Sequence, residues 1–167
     1  MVSDLGDGVD TDVHHLAEEH AALRRVAAIA AAGEPPEAVF DAVTAEASAL
    51  LDGRLTALMR FEGGGSASVV VAQTGGHVSV GARLPVTGHS IAAHMWRSGR
   101  TERIDDYTGI TGTRMVEDLG LRAAVAVPVT VEGSLWGSLG VSSRTGPLPN
   151  RTEDRLAMFA RSLRPRW

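Results

Sequence analysis

From Leu121 to Val131, every second position is apolar, and this stretch restricts the possible folds more than any other part of the chain. Leu121, Ala123, Val125, Val127, Val129 and Val131 share one face of an extended segment, because successive side chains of a strand point to opposite sides. Glu132, Gly133 and Ser134 turn the chain, and Leu135, Leu139 and Val141 line a partner strand, so a hairpin is predicted over Leu121–Ser143. One apolar face must be covered by another layer.

A second hairpin precedes it. Leu55, Ala57, Met59 and Phe61 alternate with Thr56, Arg60 and Glu62, Gly63 to Gly65 turn the chain, and Ser66 to Thr74 is a valine-rich return strand. The glycine run lacks the lysine, serine and helix that a phosphate-binding loop needs, so it reads as a turn. A short extended piece runs from Val78 to Pro85, Arg103 to Gly112 reads as irregular, and Thr113 to Leu119 as a helical turn or two stopped by Gly120.

Helical spacing surrounds these strands. Pro35 and Pro36 open a helix whose buried stripe is Val39, Phe40, Val43, Ala47, Leu50 and Leu51, with Gly53 as its stop. Ser90 to Ser98 is a shorter helix with Ile91 and Met95 inward, closed by Gly99, and Ser90 or Thr87 is its cap. The last helix places Leu156, Phe159, Ala160 and Leu163 inward, with Asn150 and Glu153 as a capping box and Pro165 as its end. The first helix runs from Asp12 to Gly33. Val13, Leu16, His20, Leu23, Ala27 and Ala30 recur on it at spacings of three and four, which suits either a seam between two copies or packing on its own domain. The expected division is therefore a disordered leader over 1–11, an N-terminal signalling or dimerisation helix over 12–33, and a sensory domain over 34–164.

Composition removes several function classes. Of 167 residues 44% are hydrophobic and 22% charged, ordinary for a globular domain with a core. The absence of cysteine excludes disulfides, thiol chemistry and thiolate metal sites. With 16 basic against 20 acidic residues and a net charge of -4, the chain has no basic stripe for nucleic acid. No apolar run of membrane-spanning length and no signal-peptide pattern is present, so a cytoplasmic location is expected.

Three constellations merit a chemical test. Gly88-His89-Ser90-Ile91-Ala92 resembles a nucleophile elbow, but no histidine follows His94, so a late triad base is missing. No catalytic residue is therefore assigned, and a helix cap is the simpler role for Ser90. The six histidines form no metal-ligand spacing, and no metal site is assigned. Asp105, Asp106 and Tyr107 sit in a loop, where polar residues carry function or cap turns. Met59, Met95, Met115 and Trp136 serve either as core filling or as an apolar cavity wall.

The order of these elements, the stretch LPVTGHSIAAHMWRSGRTERIDDY (Leu84–Tyr107), the strand ending AVAVPV (Ala124–Val129) and the hairpin VEGSLWGSLGV (Val131–Val141) together resemble a GAF domain. The resemblance spans about residues 20–163, and is to GAF domains of actinobacterial sensor histidine kinases and related signalling proteins. It implies an α+β sandwich of the profilin-like type. A central antiparallel β-sheet would carry the N- and C-terminal helices on one face and a small-molecule pocket on the other.

The resemblance further implies a regulatory sensory role without catalysis, in which the domain binds a small ligand, dimerises through its terminal helices, or both. A ligand-free dimerisation module with a self-filled pocket is the alternative, and an enzyme of unrecognised type a third. The partner would be a second copy, with a kinase or other output domain beyond it. The pocket would draw on Met59, Leu84, His89, Ile91 and Met95, roofed by Asp105, Asp106, Tyr107 and Met115, with Val125 and Val127 beneath. Known ligands of the family are disfavoured residue by residue. The cysteine that holds a bilin is missing. Thr111 to Leu121 lacks the histidine that haem-binding members carry there. Ser143 and Arg144 stand where cyclic-nucleotide binders carry Asn-Lys.

Overall fold

The computed structural model of the chain describes residues 6–52, 54–76, 78–110 and 114–163. The alternating segments form one six-stranded antiparallel sheet. Its strands are β1 (Leu55–Glu62), β2 (Ala67–Thr74), β3 (Arg83–Pro85), β4 (Glu102–Ile104), β5 (Ala123–Val131) and β6 (Ser134–Ser143), ordered β3-β2-β1-β6-β5-β4. The two hairpins predicted from periodicity, β1–β2 and β5–β6, meet along β1 and β6 at the centre of the sheet.

Helices α1 (Gly6–Ala31), α2 (Pro36–Leu50) and α5 (Thr152–Ser162) lie on one side of the sheet, with α1 packed on α2 and α5. Leu58, Val127, Val129, Leu139 and Val141 from the strands meet Val39, Phe40, Val43, Leu156 and Phe159 from the helices in the main core. Burying an aliphatic side chain of this size contributes about 1.5–3 kcal/mol, so this side carries most of the stability. On the other side sit α3 (Ile91–Ser98), α4 (Arg114–Asp118) and a smaller cluster of Tyr107, Val116, Leu121 and Ala124.

Several local expectations change. The first helix starts at Gly6 rather than Asp12, so residues 6–11 are helical where a disordered leader was expected. Residues 8–11 are exposed, so no buried apolar position marks this part of the helix in the sequence. Helix α1 buries Ala22 and Val26, not the predicted seam, and of that seam Leu23 alone is partly buried against the core. Val13 and Leu16 are 59% and 53% exposed. The segment assigned as irregular contains β4, too short for alternation to reveal. Asn150 does not cap α5. Arg151, in the left-handed conformation at φ 68°, precedes that helix, and Thr152 Oγ1 donates to Pro149 O at 2.7 Å. Glu153 is drawn away to Arg103 instead.

Candidate ligand pocket

Strand alternation builds the pocket. On β5, Val125, Val127 and Val129 face the helices, so Ala124 and Ala126 face the other way. On β6, Leu139 and Val141 face the helices, leaving Ser138, Gly140 and Ser142 on the opposite surface. The pairing of Ala126 with Gly140 fixes this register, and a Cβ built on Gly140 would lie 3.5 Å from the Ala126 Cβ, on the same side. Leu55, Ala57 and Met59 of β1 continue the surface, as do Ser68 and Val70 of β2. A β-bulge beside Met59 keeps Met59 opposite Val70.

Small residues on this face leave a cavity of about 100 Å³ between the sheet and its cover. The cover comes from Leu84 on β3, from Ser90, Ile91 and Ala92 at the start of α3, and from Tyr107, Val116, Leu119 and Leu121. No Asp, Glu, Lys, Arg or His occurs among the described lining residues. Such a surface suits apolar contact, with isolated hydroxyls and one amide, Gln73, to orient a guest.

The predicted site residues divide between several places. Met59, Leu84, Ile91 and Tyr107 border the cavity, and Val125 does so from a position whose side chain alternation turns to the helix-side core. Val127 is corrected: it is buried on the helix side, because the valine face of β5 packs on α5 rather than beneath the pocket. Met95 is fully buried but lies outside the cavity lining. His89 is corrected too: it lies in the turn before α3, exposed, with its ring 6.0 Å from that of His94. Asp105 and Asp106 are exposed outside the cavity: Asp105 accepts from Arg103, and Asp106 accepts from Thr108 N–H at 2.8 Å as a turn cap. The Met115 side chain lies outside the described residues, as do Thr111 to Thr113. Trp136 packs on Phe40 of α2, ring centroids 5.8 Å apart, on the side away from the pocket.

Ser90 is fully engaged as a cap: its Oγ accepts from Ala93 N–H at 3.2 Å and donates to Thr87 O at 3.3 Å. That geometry answers the elbow-like motif with a structural role. Among the described residues no group of three or more potential metal ligands occurs.

Tyr107 is the single tyrosine of the chain and is 6% exposed. Burial pushes its hydroxyl up to about 12, partly offset by hydrogen bonding from the Ile91 backbone at the start of α3. The folded value lies above the unfolded one, near 10. The buried neutral hydroxyl therefore contributes stability that is fully present below pH 10 and lost as pH rises through about 12. A spectrophotometric titration of this one phenol is expected to show its midpoint near 12. A midpoint near 10 would mean that the roof stands open in solution.

Arg103 joins the roof to the helix layer. Its Nε and Nη2 donate to Oε1 and Oε2 of Glu153 on α5 (Nη2 at 2.9 Å), and Nη1 donates to Asp105 Oδ1 at 3.0 Å. Nη1 and Nη2 also donate to the carbonyls of Leu148 and Pro149, each at 2.9 Å. Arg103 holds the Glu153 carboxyl below the usual carboxylate range, chiefly by hydrogen bonding.

Residues 35–164 match the family model for the GAF domain. The phycocyanobilin-bound GAF domain of a cyanobacterial phytochrome superposes with a TM-score of 0.70 at 18% identity, covering 87% of this chain and 91% of that one. The PixJ GAF domain of Thermosynechococcus elongatus, in its blue-light-absorbing form, gives 0.60 at 19% identity over 77% and 80%. The GAF domain of an Acinetobacter phosphoenolpyruvate-protein phosphotransferase gives 0.68 at 13% over 85% and 87%. No curated protein matches the chain in sequence.

Proposed function

We propose that this chain, which belongs to the GAF domain family of regulatory sensory domains, takes a small ligand into the cavity beside Tyr107 and passes the change to a partner through its terminal helices. The observation that carries this reading is the division of the sheet: large side chains pack one face against α2 and α5, while alanine, serine and glycine hold the other face open. A ligand shifts a domain only by binding two states with different affinity. The Arg103–Glu153 link supports a route by which roof and α5 report on each other.

A second copy is the partner we propose for α1. Val9, Val13, Leu16, His20, Leu23 and Ala27 follow alternating steps of four and three, and the first three are large exposed apolar residues. Beyond the dimer we propose an output domain, with the likeness of Leu84–Tyr107 to actinobacterial sensor histidine kinases pointing to a kinase. We further propose a non-catalytic role, supported by the capping geometry of Ser90, and a cytoplasmic setting. Among the described residues no helix is long and apolar enough to cross a membrane. Bilin attachment through a thioether is not open to a chain without cysteine.

The ligand-free dimerisation module remains the second reading, favoured by the partial filling of the roof with Tyr107, Val116 and Leu121. Thermal melting against a metabolite panel separates the two, because a ligand that binds only the folded state raises the midpoint by mass action. In parallel, light scattering on the purified chain is expected to give a dimer mass, and the double variant Val13→Glu/Leu16→Glu a folded monomer whose melting midpoint no longer depends on concentration. A monomeric wild type would remove the dimer from the proposal.

A further inference from the structure

The floor of the cavity carries hydroxyls that the fold does not use. Ser68 of β2 and Ser138 of β6 are only 1% and 5% exposed, and Ser142 is half-buried on the same surface. Among the described residues none of these three hydroxyls makes a hydrogen bond, whereas Ser90 in the cover, and Ser48 and Ser143 elsewhere in the fold, each do. Opening onto the cavity, each can donate one hydrogen bond and accept others from a guest. The surrounding wall is otherwise apolar: Leu55, Met59, Val70, Leu84, Ile91 and Leu121.

Charge narrows the guest further. No ionisable side chain other than the neutral Tyr107 lines the described cavity, and Arg103, Asp105 and Asp106 are engaged outside it. An ion entering this space would leave its hydration shell without a counter-charge, which is far more costly than burying a neutral hydrogen-bonding group. Ser138 and Ser142 lie about 13 Å apart along β6, so a small guest meets one end or the other rather than both.

Resting on the reading of this cavity as a ligand site, we infer that its ligand is a small uncharged molecule, with an apolar body seated on Ala57, Ala124, Ala126 and Gly140. Its hydroxyl, carbonyl or amide group pairs with one of the floor serines. Among the described lining residues nothing offers a counter-charge to a phosphate ester, a carboxylate or an amine.

Four probes of one shape test this: benzyl alcohol, toluene, benzoate and benzylammonium, titrated into the full chain and followed by amide NMR shifts. Benzyl alcohol is expected to shift the Ser138, Gly140 and Ser142 resonances and to bind at least tenfold tighter than either ion. The triple variant Ser68→Ala/Ser138→Ala/Ser142→Ala is expected to erase its advantage over toluene. Ala126→Leu is expected to abolish binding by filling the floor. Gly140→Ala is a milder check, because its new methyl meets only ordinary contacts with Ala126 Cβ and Val125 O and should leave folding intact while weakening binding several-fold. Benzoate or benzylammonium bound as tightly at the same amides overturns the inference and leaves the ligand-sensing reading standing. Equal binding of toluene and benzyl alcohol to the wild type overturns the role of the serines. No shift with any probe, at concentrations that saturate comparable cavities, overturns both the inference and the sensing reading.

Discussion

Gly137→Ala is expected to destabilise the domain by about 3 kcal/mol or more, the cost of forcing atoms into a packed site with no room to yield. Gly137 pairs with Arg60 in the centre of the sheet, where β6 meets β1. A Cβ at this position would lie 2.1 Å from the main-chain oxygen of Met59 and 3.1 Å from its carbonyl carbon. A flexible side chain could swing away, but these are backbone atoms of the neighbouring strand, held by the ladder on both sides. Relief requires the two hairpins to part where they join. For a chain of this size the loss corresponds to a fall in melting midpoint of about 10 °C. Gly140→Ala, three residues along the same strand, is the matched control, since its new methyl meets nothing closer than 3.5 Å. Equal melting of the two variants would mean that β1 and β6 do not pair in the register described.

Arg103→Ala carries the second large effect, a loss of about 3 kcal/mol, because it strands a carboxylate and two carbonyl groups together. Glu153, Leu148 O and Pro149 O all accept from this one guanidinium. Glu153→Gln keeps the shape and removes the charge, so it should cost less, about 1 kcal/mol. The pair also gives stability a pH dependence of fixed sign. Hydrogen bonding from Arg103 lowers the Glu153 carboxyl below the unfolded value, near 4.3. The unfolded chain therefore binds that proton more readily, and stability rises with pH across this window. The contribution is fully present above the unfolded value and is lost as pH falls through the lower folded one. Denaturant midpoints of wild type and Glu153→Gln are expected to differ at pH 7 and to converge toward pH 3. A constant difference across that range would show that Glu153 is not ionised against Arg103.

How much of this was legible in the sequence depends on the size of each signal. The hairpins could be read because β5 and β6 are nine and ten residues long, and alternation over that length has one interpretation. Strand β4, three residues long, has too few positions to alternate. The seam on α1 was correctly periodic, yet periodicity does not say whether a stripe faces its own domain or a neighbour, and the buried stripe runs through Ala22 and Val26 instead. The pocket shows the sharpest miss. Val127 serves the helix-side core alone and Val125 only borders the cavity from that side, whereas the floor belongs to Ala124, Ala126, Ser138, Gly140 and Ser142. The signal was present in the same alternation: where bulky and small residues take turns, the bulky ones mark the core and the small ones mark the space.

That alternation has a consequence for how such a domain diversifies. Along β5 and β6, positions that hold the scaffold and positions that shape the cavity are immediate neighbours in the chain, yet they are separated by the full thickness of the sheet. Exchanges among Ala124, Ala126, Ser138 and Ser142 can alter what is admitted without disturbing Val127, Leu139 or Val141. Specificity can thus drift while architecture is inherited intact, so descendants of one such sheet can come to answer to unrelated molecules and still superpose strand for strand.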